Sequence, residues 1–133
     1  MSIVDVSMRT VAEQCSDLIV ENESEKLREY IQTLPNHIKM HMIIDDEGYT
    51  LLHMASFQNM TTILKLLIDK SKLELDKEEI KEWINYKTEE DGYTSLHYAA
   101  WKGNIEIMRI LIENNADITI QNAYGLDCIH IAA

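Results

Sequence analysis

The sequence predicts an all-α solenoid of stacked helical hairpins joined by short turn fingers, and three observations carry that prediction. The stretch DGYTSLHYAAWKGNIEIMRILIENNAD, Asp91 to Asp117, reads as a turn, a short helix from about Ser95, a break at Gly103 and a second helix to about Glu113. The same frame recurs around Gly48 as EGYTLLHMASFQNMTTILKLLIDK and around Gly125 as YGLDCIHIAA, 44 positions before and 33 positions after Gly92. A unit of one turn and two helices cannot bury its apolar side alone, so repeated units stack. Composition agrees, since 46% of the 133 residues are hydrophobic while one proline and four glycines leave little room for a linker.

Residues 1–44 are expected to form a degenerate capping hairpin and a connector. Met8, Val11, Ala12, Cys15, Leu18 and Ile19 have helical spacing within a helix read over Ile3 to Ile19. A second helix runs from Glu25 to Leu34, with Leu27, Tyr30, Ile31 and Leu34 inward, Ser24 as its N-cap and Pro35 ending it. Its charged face of Glu21, Glu23, Glu25, Lys26, Arg28 and Glu29 suits the end of a stack, where one side meets water. Asn36 to Ile44 fits either an extended segment or a turn of helix.

Residues 45–88 form the first full repeat. Gly48 supplies its turn, Thr50 starts its first helix, and Asn59 stands where Gly103 stands in the next unit, asparagine being the residue that best replaces glycine in a left-handed position. This repeat is about eleven residues too long. The excess, KSKLELDKEEIKEWIN, has Leu73, Leu75, Ile80, Trp83 and Ile84 at helical spacing and reads as a lengthened second helix or an extra short one at the edge of the stack, pinned by Trp83. Residues 89–121 form a second repeat, with Ile105, Ile107, Met108, Leu111 and Ile112 on the apolar side of its second helix and Asn115 ending it. Residues 122–133 start a third and stop within its first helix, leaving Ile129, Ile131, Ala132 and Ala133 without a partner helix, which points to a piece of a longer chain.

Thr94-Ser95-Leu96-His97 with Ala99-Ala100, then Gly103, then Asn115-Ala116-Asp117 resemble, in order and spacing, the landmarks of the ankyrin-repeat family, Thr-Pro-Leu-His-x-Ala-Ala, Gly and Gly-Ala-Asp. The likeness covers Asp45 to Ala133 closely and the first 44 residues weakly. Leu51, Ser95 and Cys128 stand where the family has proline, which weakens the start of each first helix without changing the fold. In that frame His53, His97 and His130 are expected to be structural, each ring bonding within its own turn and to the neighbouring repeat.

No active site is expected. His37 and His41 have i,i+4 spacing, but no Cys, Asp or Glu nearby completes a zinc set, and Asp45-Asp46-Glu47 lacks the spacing of a calcium loop, so neither metal nor cofactor is predicted. Ser95, His97 and Asp91 are committed to a turn and a helix start, with no oxyanion or orienting group. Cys15 and Cys128 fall at inward positions, as inert free thiols in a reducing compartment. The net charge is −11 and the sequence lacks the clustered Lys and Arg that phosphate binding needs, so nucleic acid is not an expected partner. With no long apolar segment and no secretory leader in MSIVDVSMRTVAEQ, the expected location is cytoplasmic, or the cytosolic face of a membrane, without membrane contact by these residues.

What remains is surface. The resemblance implies a concave face made by turn tips and exposed first-helix positions, here Asp46, Glu47, Tyr49, Phe57 and Gln58, then Glu90, Asp91, Tyr93, Trp101 and Lys102, then Tyr124 and Leu126. Aromatic residues recur at equivalent places, Tyr49 with Tyr93 and Phe57 with Trp101, while Leu52, Ala55, Leu96 and Ala99 fill the inward slots. Exposed aromatics beside acids read as a protein-binding face for a partner with a basic segment. The alternative draws on the ending GLDCIHIAA and the inserted repeat, which look similar to the ankyrin region of Asp-His-His-Cys palmitoyltransferases. On that reading the chain is the substrate-recognition arm of a membrane enzyme whose catalytic part lies outside it.

Overall fold

The computed structural model describes residues 8–132, so Ile3 to Ser7 of the first expected helix lie outside the described residues. Among the described residues are eight α-helices: α1 (Met8–Val20), α2 (Ser24–Thr33), α3 (Leu51–Phe57), α4 (Thr61–Ser71), α5 (Lys77–Ile84), α6 (Ser95–Lys102), α7 (Ile105–Glu113) and α8 (Cys128–Ala132). The first helix of each hairpin builds one layer, in which α1 packs on α3, α3 on α6 and α6 on α8; the second helices build the other, with α4 between α2 and α7. This is an all-α repeat solenoid. Leu52, Ala55, Ile63, Leu64, Leu67, Leu96, Ala99, Ile107 and Leu111 fill the space between the layers.

One device breaks the chain between helices four times. Asn22, Asn59, Gly103 and Asn115 all have positive φ. In each case the left-handed residue bonds back to the carbonyl three before it and its successor to the carbonyl five before that successor, as Gly103 N–H to Ala100 and Asn104 N–H to Ala99 show. That closure at Asn22 explains a departure from expectation. Ser24 is the first residue of α2, not its cap; Glu23 holds the N-cap position and makes no side-chain capping bond.

The segment left open over Asn36 to Ile44 is a single 3₁₀ turn, Met40–Met42, followed by extended backbone that bridges Ile44 to Thr50. The excess of the first repeat is a separate helix, α5, started by a capping box in which Asp76 and Glu79 each accept the other's backbone N–H. Ile80, Trp83 and Ile84 are buried, so Trp83 is an anchor. Leu73 departs from the expected apolar stripe: it sits in the link between α4 and α5 and is 83% exposed, while Leu75 is buried. Glu74 ties this link to the connector, accepting the Met40 N–H at 3.0 Å through its carboxylate and the Lys39 ammonium at its carbonyl.

The apolar side of α7 also divides differently from its spacing. Ile107 and Leu111 are fully buried, whereas Ile105 and Ile112 are 69% and 46% exposed and face an open groove with Met108, Arg109 and Ala132. In α4, which α7 covers, Leu64 and Ile68 at the positions of Met108 and Ile112 are buried, and Thr61 at the position of Ile105 is half-buried.

Candidate interaction face

Three fingers carry the turn tips, each closed by one polar residue at its base. The Asp45 carboxylate accepts the N–H groups of Glu47 and Tyr49 at 2.9 Å, Asn122 does the same for Tyr124 and Leu126, and Thr88 accepts the Tyr93 N–H at 3.0 Å. The second finger spans Thr88 to Tyr93, one residue longer than Asp45 to Tyr49, and the extra length places Glu89 beside Glu90 and Asp91.

Histidines lock each finger to the helix behind it. Thr50 donates its N–H to His53 Nδ1 at 3.0 Å and accepts the His53 N–H at Oγ1, and Thr94 with His97 repeats this arrangement. Because Nδ1 accepts, the proton is on Nε2, which donates to the carbonyls of Tyr86 and Tyr93 from His53, and of Leu126 from His97. Both rings are buried, and burial pushes His53 down to about 4 against the opposing pull of the Tyr93 and Tyr86 carbonyls. In the third repeat Asp127 replaces the threonine, capping the His130 N–H and lying 2.9 Å from its exposed ring. The Cys15 thiol is raised by burial to about 12.

Aromatic rings pave the face in front of this scaffold. Phe57 and Trp101, one repeat apart, meet edge to face at 5.9 Å, and Lys102 places its ammonium 4.5 Å from the Phe57 centroid. Tyr98 joins the sheet of rings from beneath: it meets Phe57 at 5.6 Å, stacks on Tyr93 at 5.1 Å and lies within 6.4 Å of Trp101 and 6.3 Å of Tyr49. Sequence reasoning missed Tyr98. Its signal was the slot it shares with Met54 and Ile131 in the neighbouring repeats, the position between the histidine and the alanine, where Met54 and Tyr98 are both buried.

Acidic groups line the rim. Asp46 and Glu47 of the first finger and Glu89, Glu90 and Asp91 of the second enclose a notch of about 320 Å³ with Tyr49 and Thr88. Arg9 of α1 pairs with Asp46 at 3.0 Å, and Tyr124 of the third finger donates its hydroxyl to Asp91 at 3.1 Å. The Ala123 N–H bonds the Asp91 carbonyl at 2.8 Å, which ties the third finger to the second. Of the expected residues, Asp46, Glu47, Tyr49, Glu90 and Asp91 share the notch, Phe57, Tyr93, Trp101 and Lys102 the aromatic paving, and Gln58 a pocket beside Phe57. Tyr124 and Leu126 are exposed on the third finger, Tyr124 joined to the notch through Asp91; the Leu126 side chain has no part in the ring contacts. The described residues hold no cluster of three His, Cys, Asp or Glu side chains placed to bind a metal, and no helix long and apolar enough to cross a membrane.

Residues 18–122 match the family described as ankyrin repeats (3 copies). A search of curated proteins returned no match. Among solved structures, a chain in the crystal structure of the yeast ribosomal protein Rps3 in complex with its chaperone Yar1 superimposes with a TM-score of 0.86 at 22% identity, over 93% of this chain and 83% of that one. The family match extends over most of the chain, and the neighbour shares its all-helical fold. The protein belongs to the ankyrin-repeat family.

Proposed function

We propose that this protein is a non-catalytic protein-interaction module that grips a basic segment of a partner on its concave face. The observation that carries the reading is the cluster of rings in which exposed Phe57 and Trp101 and half-buried Tyr49 and Tyr93 are held together by the buried Tyr98 beneath them, bordered by the five acids of the finger notch. Rings held by one another lose little side-chain freedom on binding, and acids at their edge favour a cationic partner and speed its approach. Ankyrin repeats serve as binding scaffolds, and the structural neighbour comes from a complex between a ribosomal protein and its chaperone, so a protein ligand is the coarse reading that fold and neighbour support together. The narrower reading, the recognition arm of a palmitoyltransferase, draws on no contact in this structure.

The test is a map of the bound surface. A lysine-rich peptide titrated into isotopically labelled protein should shift amide and indole resonances of Tyr49, Phe57, Tyr93 and Trp101 together. Shifts confined to the outer layer, α2, α4 and α7, would overturn the assignment.

A further inference from the structure

A second depression opens beside the aromatic paving. Ser16 and Val20 of α1, Met54 and Phe57 of α3, Gln58 just after it and Tyr98 of α6 enclose a pocket of about 210 Å³. Cavities of about 150 Å³ lined by apolar side chains take up benzene, so this one has room for one large side chain. Two of its polar walls are already engaged, His53 being bonded at both ring nitrogens and Asp45 holding the finger turn. Val20 and Phe57 at the mouth are 51% and 40% exposed. Tyr49 lines both this pocket and the acidic notch between the fingers, so the two depressions adjoin at its side chain.

Building on the concave-face reading above, we propose that the pocket is an anchor site for a leucine- or phenylalanine-sized side chain of a basic peptide segment, whose neighbouring Lys or Arg lies in the finger notch. Tyr49, with the ring edge on one side and acids on the other, sets the boundary between the two subsites. The repeats α3 and α6 supply the floor, and the capping helix α1 supplies the wall that makes it a pocket, so the N-terminal hairpin confers selectivity as well as covering the stack's end.

The experiment uses fluorescein-labelled nonapeptides, Gly-Gly-Ser-Lys-Leu-Lys-Ser-Gly-Gly and the same peptide with Ala in place of Leu, titrated against the whole chain by anisotropy at low and high salt. The leucine peptide should bind about tenfold or more tightly than the alanine peptide, the range expected for several methylenes entering an apolar pocket. Val20→Trp, which fills the pocket from α1, should bring the leucine peptide down to the alanine peptide's affinity while leaving the alanine peptide and its salt dependence unchanged. Ser16→Tyr repeats the test from the adjacent turn should Val20→Trp lower the melting temperature. A leucine preference that survives both substitutions overturns the proposal, as does failure of the leucine peptide to bind at millimolar concentration. Equal affinity for the two peptides, with salt and Trp101→Ala weakening both, removes the anchor pocket and leaves the concave face standing; indifference of both to salt and to Trp101→Ala removes both.

Discussion

Phe57 and Trp101 stand 44 residues apart in the chain and 5.9 Å apart between ring centroids, edge to face, with the Lys102 ammonium within 5.7 Å of both. The pair spans the junction of two repeats, yet Trp101 is still 58% exposed. A ring that large is not kept at the surface by the needs of the core, since Leu96 and Ala99 already fill the inward side of α6. Trp101→Ala should therefore weaken the native partner by roughly thirtyfold or more, the loss typical of a central aromatic contact. The melting temperature should stay close to wild type. A variant that unfolds, with its residual folded fraction binding normally, would assign Trp101 to the fold instead.

Salt gives a second handle. The notch carries five acids, with Arg9 paired to Asp46 and the Lys87 side chain beside Gly92 leaving it net acidic, so association with a basic segment should slow as ionic strength rises while dissociation changes little. Glu89→Lys with Glu90→Lys should abolish most of that dependence, and both are exposed, so stability should move by less than about 0.5 kcal/mol. Stopped-flow rates at two salt concentrations decide it; a salt-independent on-rate in the wild type would contradict the assignment.

The legible part of this fold was whatever recurs. Gly48, Gly92 and Gly125 with the three histidines fixed the frame, and Asn59 and Asn115 announced the left-handed breaks that the backbone contains at φ 64° and 76°. What did not recur was harder to read. Leu73 falls by spacing into one stripe with Leu75, Ile80, Trp83 and Ile84, but it stands in the link of a few residues between α4 and α5, where the helical period does not run. Ile105 and Ile112 looked inward because a second helix in such a stack is apolar on two sides, one for its own hairpin and one for the next layer. The pocket beside Phe57 needed the placement of α1, whose sequence departs furthest from the repeat, and Glu89 needed the one-residue lengthening of its finger.

The histidines predict a pH dependence. His53 is held neutral in the folded state, its ring pushed from an ordinary value near 6.5 down to about 4 chiefly by burial. Below about 6.5 the unfolded chain takes up a proton that the folded chain refuses, so this contribution is fully present above that pH and is lost as pH falls toward about 4. The loss across the window is about 3 kcal/mol, and His97, lowered by the same cause, adds to it. Urea midpoints measured between pH 7 and 4.5 should fall, and His53→Gln should flatten the slope from a lower starting stability. Identical slopes in both proteins would refute the account. Saturating chelator should leave the melting temperature unchanged; a stoichiometric zinc signal abolished by His37→Ala would reverse the structural reading of these residues.

The insertion is fastened at two points that can be separated. Trp83 is 3% exposed within α5, and Trp83→Ala should cost about 3–5 kcal/mol through the cavity it leaves. Asn85, at the end of α5, donates to the carbonyls of Lys81 and Asn115 and accepts the Asp117 N–H at 2.7 Å, stitching the insertion to the end of the next repeat. Its bonds are near the surface, so Asn85→Ala should cost only about 1 kcal/mol. Chemical denaturation distinguishes the two, and equal losses would mean that α5 is held by its hydrogen bonds more than by its apolar face.

Stability should decline toward the C-terminal layer. In a stack it is a sum of each repeat's own terms and of the interfaces with its neighbours. Ile107 and Leu111 of α7 are fully buried between α4 and their own hairpin, whereas α8 is five residues long, with Cys128 buried and Ile129 61% exposed. Few hydrogen bonds hold that layer: the Ala123 N–H and the Tyr124 hydroxyl on Asp91, the Leu126 carbonyl on His97, and the Asn122 turn. Hydrogen exchange on a dilute monomer should find the weakest protection after about Asp117, with Ala123 outlasting its neighbours because its N–H is the one that crosses to the second finger. Local opening there breaks these bonds and the packing of one short helix on α6, while opening at Ile107 requires loss of the interface with α4 as well as that of its own hairpin. Protection after Asp117 equal to that of Ile105 to Leu111 would show that the last layer is held by interactions other than these.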